Sequence, residues 1–342
     1  MRLNSEYGAV TSTYIESFRK KVFLLFILLG IIFIVALYAI SHGTYEIPIS
    51  EVFFGLIGHA EGAARVVILN IRLPRVIAAV ICGFALSVSG LGIQSVLKNP
   101  LGSPSTLGIS QGAAFGAAFS IVVLGSKVLP VTIFAFAGAM VATVVILLLS
   151  YLKRLSPEAI ILAGVAMASL FASATTLIQY MAVETELAMV VFWTFGDVAR
   201  SNWREIGIMA AVTIPTCFLF MFFRWDLNSM ASGEETAKGL GVSVNKVRIF
   251  SMIAASLVAA LATAFHGVIA FVGLIAPHMA RRLIGADHAL LIPFSTVLGA
   301  LLLLVADTLG RVLVGSGALP VGVITSFLGA PMFLYLLIRG YK

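Results

Sequence analysis

Long apolar runs recur along almost the whole chain, and they limit its fold more than any other feature. A bilayer crossing by a helix needs about 20 mainly apolar residues, and about ten runs of that length are present. Backbone groups inside a bilayer must be bonded within the protein, so only helices or closed barrels can cross it. The sequence therefore predicts an all-α polytopic membrane protein, a single domain over 1–342, with spans at 22–40, 66–93, 104–125, 129–152, 157–182, 203–224, 244–266, 269–284, 289–314 and 320–339.

Lysine and arginine are distributed unevenly between the loops. Alternate assignment of the loops places fifteen of the 22 basic residues on one side and seven on the other, with seven acidic residues on each. The positive-inside rule makes the more basic side cytoplasmic. We expect a multi-pass protein of the cell membrane with both termini in the cytoplasm, including residues 1–21. The net charge of +7 then reflects sidedness and lipid contact, not nucleic-acid binding.

Helix-breaking residues interrupt the chain after the second predicted span. Two prolines and several glycines lie between positions 99 and 112. Non-helical backbone at membrane depth is tolerated only where protein or a water-filled cavity satisfies it. Either the segment is a tight cytoplasmic turn, or it is an interrupted helix that lines a translocation path. Gly112 and Gly116 are also spaced for close helix contact. The candidate pathway residues are Asn99, Pro100, Gly108, Ser110 and Gly112.

A second break follows the seventh predicted span. Pro277 lies in a short apolar segment just before a basic pair, and Gly273 precedes it by four residues. We expect the proline to interrupt this span, and both residues are pathway candidates. His278 is more typical of a packed or capping residue than of a ligand. Because the breaks occupy matching places, the sequence predicts two inverted-repeat halves, about 66–200 and 244–342.

The longest predicted cytoplasmic loop covers residues 225–243. Ser232 followed three residues later by Glu235 is the pattern of a capping box, which predicts a helix start. The helix is expected to run about two turns, to present Ala237 and Leu240 as a small apolar face, and to stop at Gly241. The alternative is an amphipathic helix on the bilayer surface, but its acidic start suits anionic lipid poorly.

Three arginines lie on the predicted outer side, where Arg72 and Arg75 open the second span and Arg311 closes the ninth. Terminal arginines often extend toward lipid headgroups. Asp307 is the one acidic residue within a predicted span, and it lies one turn before Arg311. An i,i+4 ion pair between them is expected.

Five motifs follow one another in order after residue 45. They are Arg72-Leu73-Pro74-Arg75, Asn99-Pro100-Leu101 with Leu107-Gly108-Ile109-Ser110, Gly233-Glu234-Glu235 with Leu240-Gly241, Phe271-Val272-Gly273-Leu274-Ile275 with Pro277-His278, and Leu319-Pro320-Val321-Gly322 with Leu328-Gly329-Ala330-Pro331. Together they resemble the iron-chelate and cobalamin uptake permeases, the membrane subunits of type II ABC importers.

The resemblance implies a homodimer around a central pathway, two cytoplasmic ATPase subunits below it and a substrate-binding protein above. It implies that Arg72, Arg75 and Arg311 are exposed cations that meet acidic residues of the binding protein. It also implies a coupling helix seated in a cleft of the ATPase. The residues of that coupling site are Ser232, Gly233, Glu234, Glu235, Ala237, Leu240 and Gly241.

Other functions are less compatible with the sequence. It has no G-x-x-x-x-G-K-[ST] loop, so we expect no bound cofactor and a separate ATPase. An ion-coupled secondary transporter would need intramembrane acids, of which Asp307 alone qualifies. The sequence also lacks an H-E-x-x-H motif, which would indicate a metal site and an intramembrane enzyme. The cargo stays open between iron-siderophore, haem, cobalamin and a small oxyanion such as molybdate.

Overall fold

The computed structural model describes residues 2–43, 45–57, 62–125, 130–313 and 319–338, with side chains from residue 15 onward except at 336 and 337. This part of the chain is helical and contains no strand. The helices are α1 Arg2–Ser41, α2 Ile49–Leu56, α3 Gly62–Val66, α4 Leu73–Leu97, α5 Ile109–Ala118, α6 Val131–Tyr151, α7 Pro157–Met181, α8 Glu184–Thr194, α9 Trp203–Phe222, α10 Arg224–Ala231, α11 Glu234–Gly239, α12 Val244–His266, α13 Val272–Ile284, α14 His288–Leu313 and α15 Val321–Ile338. Two π-helical segments, Val67–Arg72 and Phe119–Val123, continue α3 into α4 and extend α5.

Most of the predicted spans are confirmed. Among the described residues, 7 helices are long and apolar enough to cross a membrane, namely Ile15–Ser41, Gly62–Leu97, Val131–Tyr151, Pro157–Met181, Trp203–Phe222, Val244–His266 and His288–Leu313. The other three predicted spans contain the shorter helices Ile109–Val123, α13 and α15. A non-helical break occupies the start of the third and eighth predicted spans, whereas α15 fills nearly all of the tenth.

Helix α4 lies at the centre of the bundle and is buried along nearly its whole length. It packs against α9, α12, α13 and α14. Glycines set the closest approaches: a Cβ on Gly83 would lie 2.4 Å from the carbonyl oxygen of Gly299, and one on Gly90 would lie 1.7 Å from that of Gly273. Small residues at such crossings let backbones come together, and close van der Waals packing drives helix association in lipid.

The helices around the two breaks follow the same order in each half. A long helix (α4 or α12) is followed by a non-helical segment, a shorter helix (α5 or α13), and then two further apolar helices. In the first half, a Cβ on Gly112 would lie 2.6 Å from the carbonyl oxygen of Gly138, and one on Gly116 would lie 2.0 Å from that of Phe134. The predicted close contact at Gly112 and Gly116 is confirmed, and α6 is the helix contacted.

Candidate functional site

The predicted coupling loop folds into two short helices, α10 and α11, joined at Ser232 and Gly233. The predicted capping box is wrong, because Ser232 ends α10 and Gly233 precedes α11 without a side-chain cap. Gly233 has φ of 134°, a conformation that a side chain would strain, so the turn between the helices requires glycine. Glu235 instead accepts a hydrogen bond from Lys238 at 2.9 Å. This bond raises the pKa of the exposed Lys238 ammonium.

The two residues of the apolar face predicted for α11 point in different directions. Ala237 is fully buried against the bundle, while Leu240 is 69% exposed. The helix ends as predicted, since Gly241 takes a φ of 87° directly after Leu240. The glutamates are divided as well: the Glu235 side chain is 91% exposed, whereas Glu234 turns inward to Arg248. The coupling loop therefore presents Leu240 and Glu235 outward while Ala237 and Glu234 anchor it.

Arg248 on α12 connects this loop to the membrane helices. It is 1% exposed, and its guanidinium is ion-paired with Glu234. Nε donates to the carbonyl of Val96 at 3.2 Å, and one terminal nitrogen donates to the carbonyl of Leu155 at 2.8 Å. Val96 belongs to the last turn of α4, and Leu155 lies in the turn between α6 and α7. One side chain thus joins α4, α11, α12 and that turn.

His288, the first residue of α14, makes a second connection. Its Nδ1 donates to the side-chain oxygen of Asn228 on α10 at 2.6 Å, and its Nε2 accepts from the hydroxyl of Ser95 at 2.7 Å. Asn228 in turn donates to Asp287 at 2.9 Å. Burial acts to raise the pKa of Asp287, but hydrogen bonds from Asn228 and the Ala289 amide lower it below its usual value. The carboxylate is therefore ionised and holds this corner of the loop.

Gln94 compensates for the proline in α13. Pro277 has no N–H, so the carbonyl of Gly273 lacks its usual helical donor. The Gln94 side-chain amide donates to the carbonyls of Gly273 and Leu274, each at 3.3 Å, and its oxygen accepts from Arg281 at 2.7 Å. The prediction that Pro277 interrupts the span is wrong, because α13 runs continuously through it. The break comes earlier, at 267–271, where Gly267 and Phe271 both have positive φ.

Most of the predicted pathway residues are packing contacts within the chain. A Cβ on Gly108 would lie 2.7 Å from the amide nitrogen of Ala168, and Gly112 and Gly273 abut carbonyls as described above. Ser110 and Pro277 are buried beside them. Asn99 and Pro100 differ, since they line a cavity of about 290 Å³ on the predicted cytoplasmic side. Its other lining residues are Gln94, Ser95, Lys98, Ala231, Arg281, Ala286 and His288.

The second break forms a tight junction of three segments. A Cβ on Gly196 would lie 2.4 Å from the carbonyl oxygen of Val268, and one on Gly322 would lie 2.5 Å from the same atom. The Gly322 amide also donates to the Gly196 carbonyl at 3.0 Å. An adjacent cleft of about 290 Å³ has no charged lining residue. It is lined by Thr194, Phe195, Val268, Ala270, Gly322, Val323, Ser326 and Phe327.

On the predicted outer side, Asp307 lies between two arginines. Arg75 donates to both carboxylate oxygens of Asp307 at 2.8–3.0 Å, and Arg311 lies 3.4 Å away. The expected pair with Arg311 is confirmed, but the bidentate partner is Arg75, 232 residues earlier in the chain. Asp197 also approaches Arg75 at 3.9 Å. Asp307 is fully buried, so it balances charge inside the protein.

The expectation that the outer arginines are exposed cations is wrong. Arg72 is 5% exposed and donates to the carbonyls of Ile40, Ser41 and Tyr45. The side chains of Arg75 and Arg311 are 12% and 10% exposed. Where a helix bundle excludes water, polar groups must find partners within the protein. These arginines find them in backbone carbonyls and Asp307. Their role in docking a binding protein stays a prediction.

Sequence reasoning missed Gln94, Arg248 and His288 as site residues. Each is a polar side chain next to an apolar run, and this is the signal that could have identified them, because such residues need internal partners. The described residues contain no cluster of His, Cys, Asp and Glu able to hold a metal ion.

Similarity to known proteins extends over nearly the whole chain. The model of the FecCD transport family matches residues 28–339. A Methanocaldococcus jannaschii protein described as an ABC transporter permease is 50% identical, covering 95% of this chain and 96% of that protein. The hemin transport system permease protein of Yersinia pestis is 37% identical, covering 79% and 83%. A solved structure described as a metal-chelate type ABC transporter in an inward-facing conformation superposes with a TM-score of 0.82 at 28% identity, covering 94% of this chain and 100% of that one. The chain therefore belongs to the FecCD transport family.

Proposed function

We propose that this chain is the membrane permease subunit of an ATP-driven ABC importer that moves a metal chelate into the cytoplasm. Relatives named for hemin, vitamin B12 and iron(3+)-hydroxamate support this cargo class. The working assembly is a homodimer in the cell membrane with two cytoplasmic ATPase subunits and an extracytoplasmic binding protein. Both termini lie in the cytoplasm, and ATP is bound by the partner ATPase.

The geometry of the coupling loop is the observation that carries the proposal. Glu235 in the first turn of α11 and Leu240 directly after its end are both exposed, whereas Ala237 and Glu234 anchor the helix to the rest of the chain. An exposed leucine at the tip of a polar loop can fill an apolar pocket on a partner. A helix held on one side and free on the other can transmit a rigid-body movement.

Alternating access suits the two broken segments. The breaks at 98–108 and 267–271 divide long packed helices from shorter ones, and such places can absorb changes in φ and ψ. The uncharged cleft beside the second break is a candidate wall of the pathway. Hydroxyl and apolar groups hold a bulky chelate weakly, which permits release after transport. A small oxyanion would need cationic or amide donors there.

Ion-coupled secondary transport is the weaker candidate. It needs an intramembrane acid that can exchange a proton or sodium ion. Asp307 is the one acid away from the ends of a predicted span. One Arg75 nitrogen donates two hydrogen bonds to it and a second nitrogen donates a third, with Arg311 beside it. Two adjacent guanidinium groups already contact its carboxylate and balance its charge inside the protein, so Asp307 is committed to a structural ion pair.

The decisive experiment replaces Leu240 with serine. The chain is purified with the ATPase subunit and the binding protein, and ATP hydrolysis is measured in proteoliposomes with and without that binding protein. Leu240→Ser is expected to remove most ATPase association and stimulation while the permease stays folded. Val183→Ser, which changes an aliphatic side chain of similar exposure (60%) before α8, is the matched control and should behave as wild type. Normal association and stimulation in Leu240→Ser would contradict the assignment of the coupling site.

A further inference from the structure

Three successive residues in the last turn of α4 bond to different parts of the cytoplasmic side. Gln94 bonds to α13, Ser95 to His288 of α14, and the Val96 carbonyl to Arg248 of α12. The last two bonds continue to the coupling loop, through Asn228 on α10 and Glu234 on α11. We propose that Arg248 and His288 are positioning residues that transmit movement of the coupling loop to the end of α4. The inference rests on the proposed function of that loop.

The Arg248 connection is suited to transmit force in several directions. The planar guanidinium holds Glu234, the Val96 carbonyl and the Leu155 carbonyl from different nitrogens. At 1% exposure it has no water to replace a lost partner. Breaking one bond would leave a buried charge incompletely paired, so displacement of Glu234 is expected to move the guanidinium and its partners together.

The His288 connection fixes the other end of the loop. Asn228 receives hydrogen bonds from both the ring and the backbone amide of His288, at 2.6 and 3.0 Å. The opposite ring nitrogen accepts from Ser95, so this imidazole bridges α10 and α4 directly. Attachment at α10 and α11 means that a tilt of the loop acts on α4 at two adjacent residues. A rotation of the loop then becomes a rotation of the end of α4.

The first helix break begins immediately after this turn. Lys98 takes the left-handed conformation with φ of 50°, and the chain stays non-helical until Ile109. Asn99 and Pro100 follow at once and line the cytoplasmic-side cavity, whose wall also includes Ala231 at the end of α10. Movement of the end of α4 would therefore reposition the break and the cavity wall together. Arg248 also holds Leu155, so the turn between α6 and α7 would move with it.

A cysteine at Leu101, which is 42% exposed within the break, provides a reporter. The assembled complex of permease, ATPase and binding protein is treated with a charged maleimide, and the labelling rate is compared with and without ATP. In the Leu101→Cys background, ATP is expected to change the rate. Arg248→Lys keeps the charge, but its compact ammonium lacks the separated nitrogens with which the guanidinium reaches its three partners. It should reduce the ATP-dependent change about twofold to thirtyfold, the range by which single substitutions alter coupling, with ATP hydrolysis retained.

Lys246→Met is the matched control, since it removes an exposed cation two residues earlier on the same helix and should leave the response unchanged. Glu234→Gln and Asn228→Ala weaken the two connections separately and leave Arg248 in place, so they test the inference even if Arg248→Lys fails to assemble. Each is expected to reduce the response, and their combination to reduce it further, in complexes that still assemble and hydrolyse ATP. A full response in Arg248→Lys, or in the double variant, overturns this inference and leaves the proposed function intact. Failure of the parent complex to associate with the ATPase or to respond to ATP overturns the proposed function as well.

Discussion

The crossing of α4 and α13 at Gly90 and Gly273 allows a quantitative prediction for Gly90→Ala. The added Cβ would lie 1.7 Å from the carbonyl oxygen of Gly273, whereas ordinary contact begins at 3.4 Å, so the helices must separate by about 1.7 Å. That shift would take the Gln94 amide from 3.3 Å to about 5 Å from the same oxygen, which breaks the hydrogen bond. Because Pro277 supplies no donor, the carbonyl would then be buried and unsatisfied.

The two costs can be added, since they arise from different atoms. Overpacking costs about 1–3 kcal/mol, and an unsatisfied buried carbonyl costs about 1–3 kcal/mol. Gly90→Ala is therefore expected to lower the free energy of unfolding by about 2–6 kcal/mol. The measurement is unfolding in mixed micelles with increasing SDS, followed by tryptophan fluorescence. Trp193, Trp203 and Trp225 provide the signal.

Gly207→Ala is the matched control for this experiment. Gly207 lies within α9, and nothing is within 4 Å of an added Cβ. Replacing a helical glycine with alanine there should stabilise the helix by about 0.5–1 kcal/mol. The two alanine substitutions thus have opposite expected signs. Equal unfolding midpoints for the two variants would refute the close approach of α4 and α13.

Three further substitutions test other parts of the molecule. Asp307→Asn leaves two buried arginines without their counter-ion, and a loss of about 3–5 kcal/mol in the same unfolding assay is expected; a loss below 1 kcal/mol would contradict the ion-pair assignment. Gln94→Met keeps the volume but removes the donor to α13, and about 1–3 kcal/mol should be lost. Glu235→Gln removes an exposed charge from the first turn of α11, so it should weaken ATPase association without changing the unfolding midpoint, and a shifted midpoint would assign Glu235 to folding instead.

Hydropathy predicted where the helices lie, because lipid requires a long apolar helix at each crossing, and the pattern depends only on neighbouring residues. The predictions at Pro277 and at the capping box were wrong because the structure there depends on residues that are distant in the sequence. The donor that lets α13 continue through Pro277 comes from Gln94, almost two hundred residues away. Glu235 fits the local capping pattern, but the glutamate that anchors α11 is Glu234, whose partner Arg248 lies on another helix. Such long-range partners leave no periodic trace in the sequence.

The buried arginines also change what the basic residues of this chain mean. The last turn of any helix leaves carbonyls without donors, and near the bilayer centre or inside a packed bundle water cannot satisfy them. Arg72 donates to Ile40 and Ser41 at the end of α1, and Arg248 donates to Val96 at the end of α4. Each guanidinium brings several donors and a positive charge to the negative end of a helix. In these two places an arginine next to an apolar run marks the end of a different helix. The position of such an arginine is therefore set by tertiary contacts. The positive-inside rule predicts only the side of the membrane on which it lies.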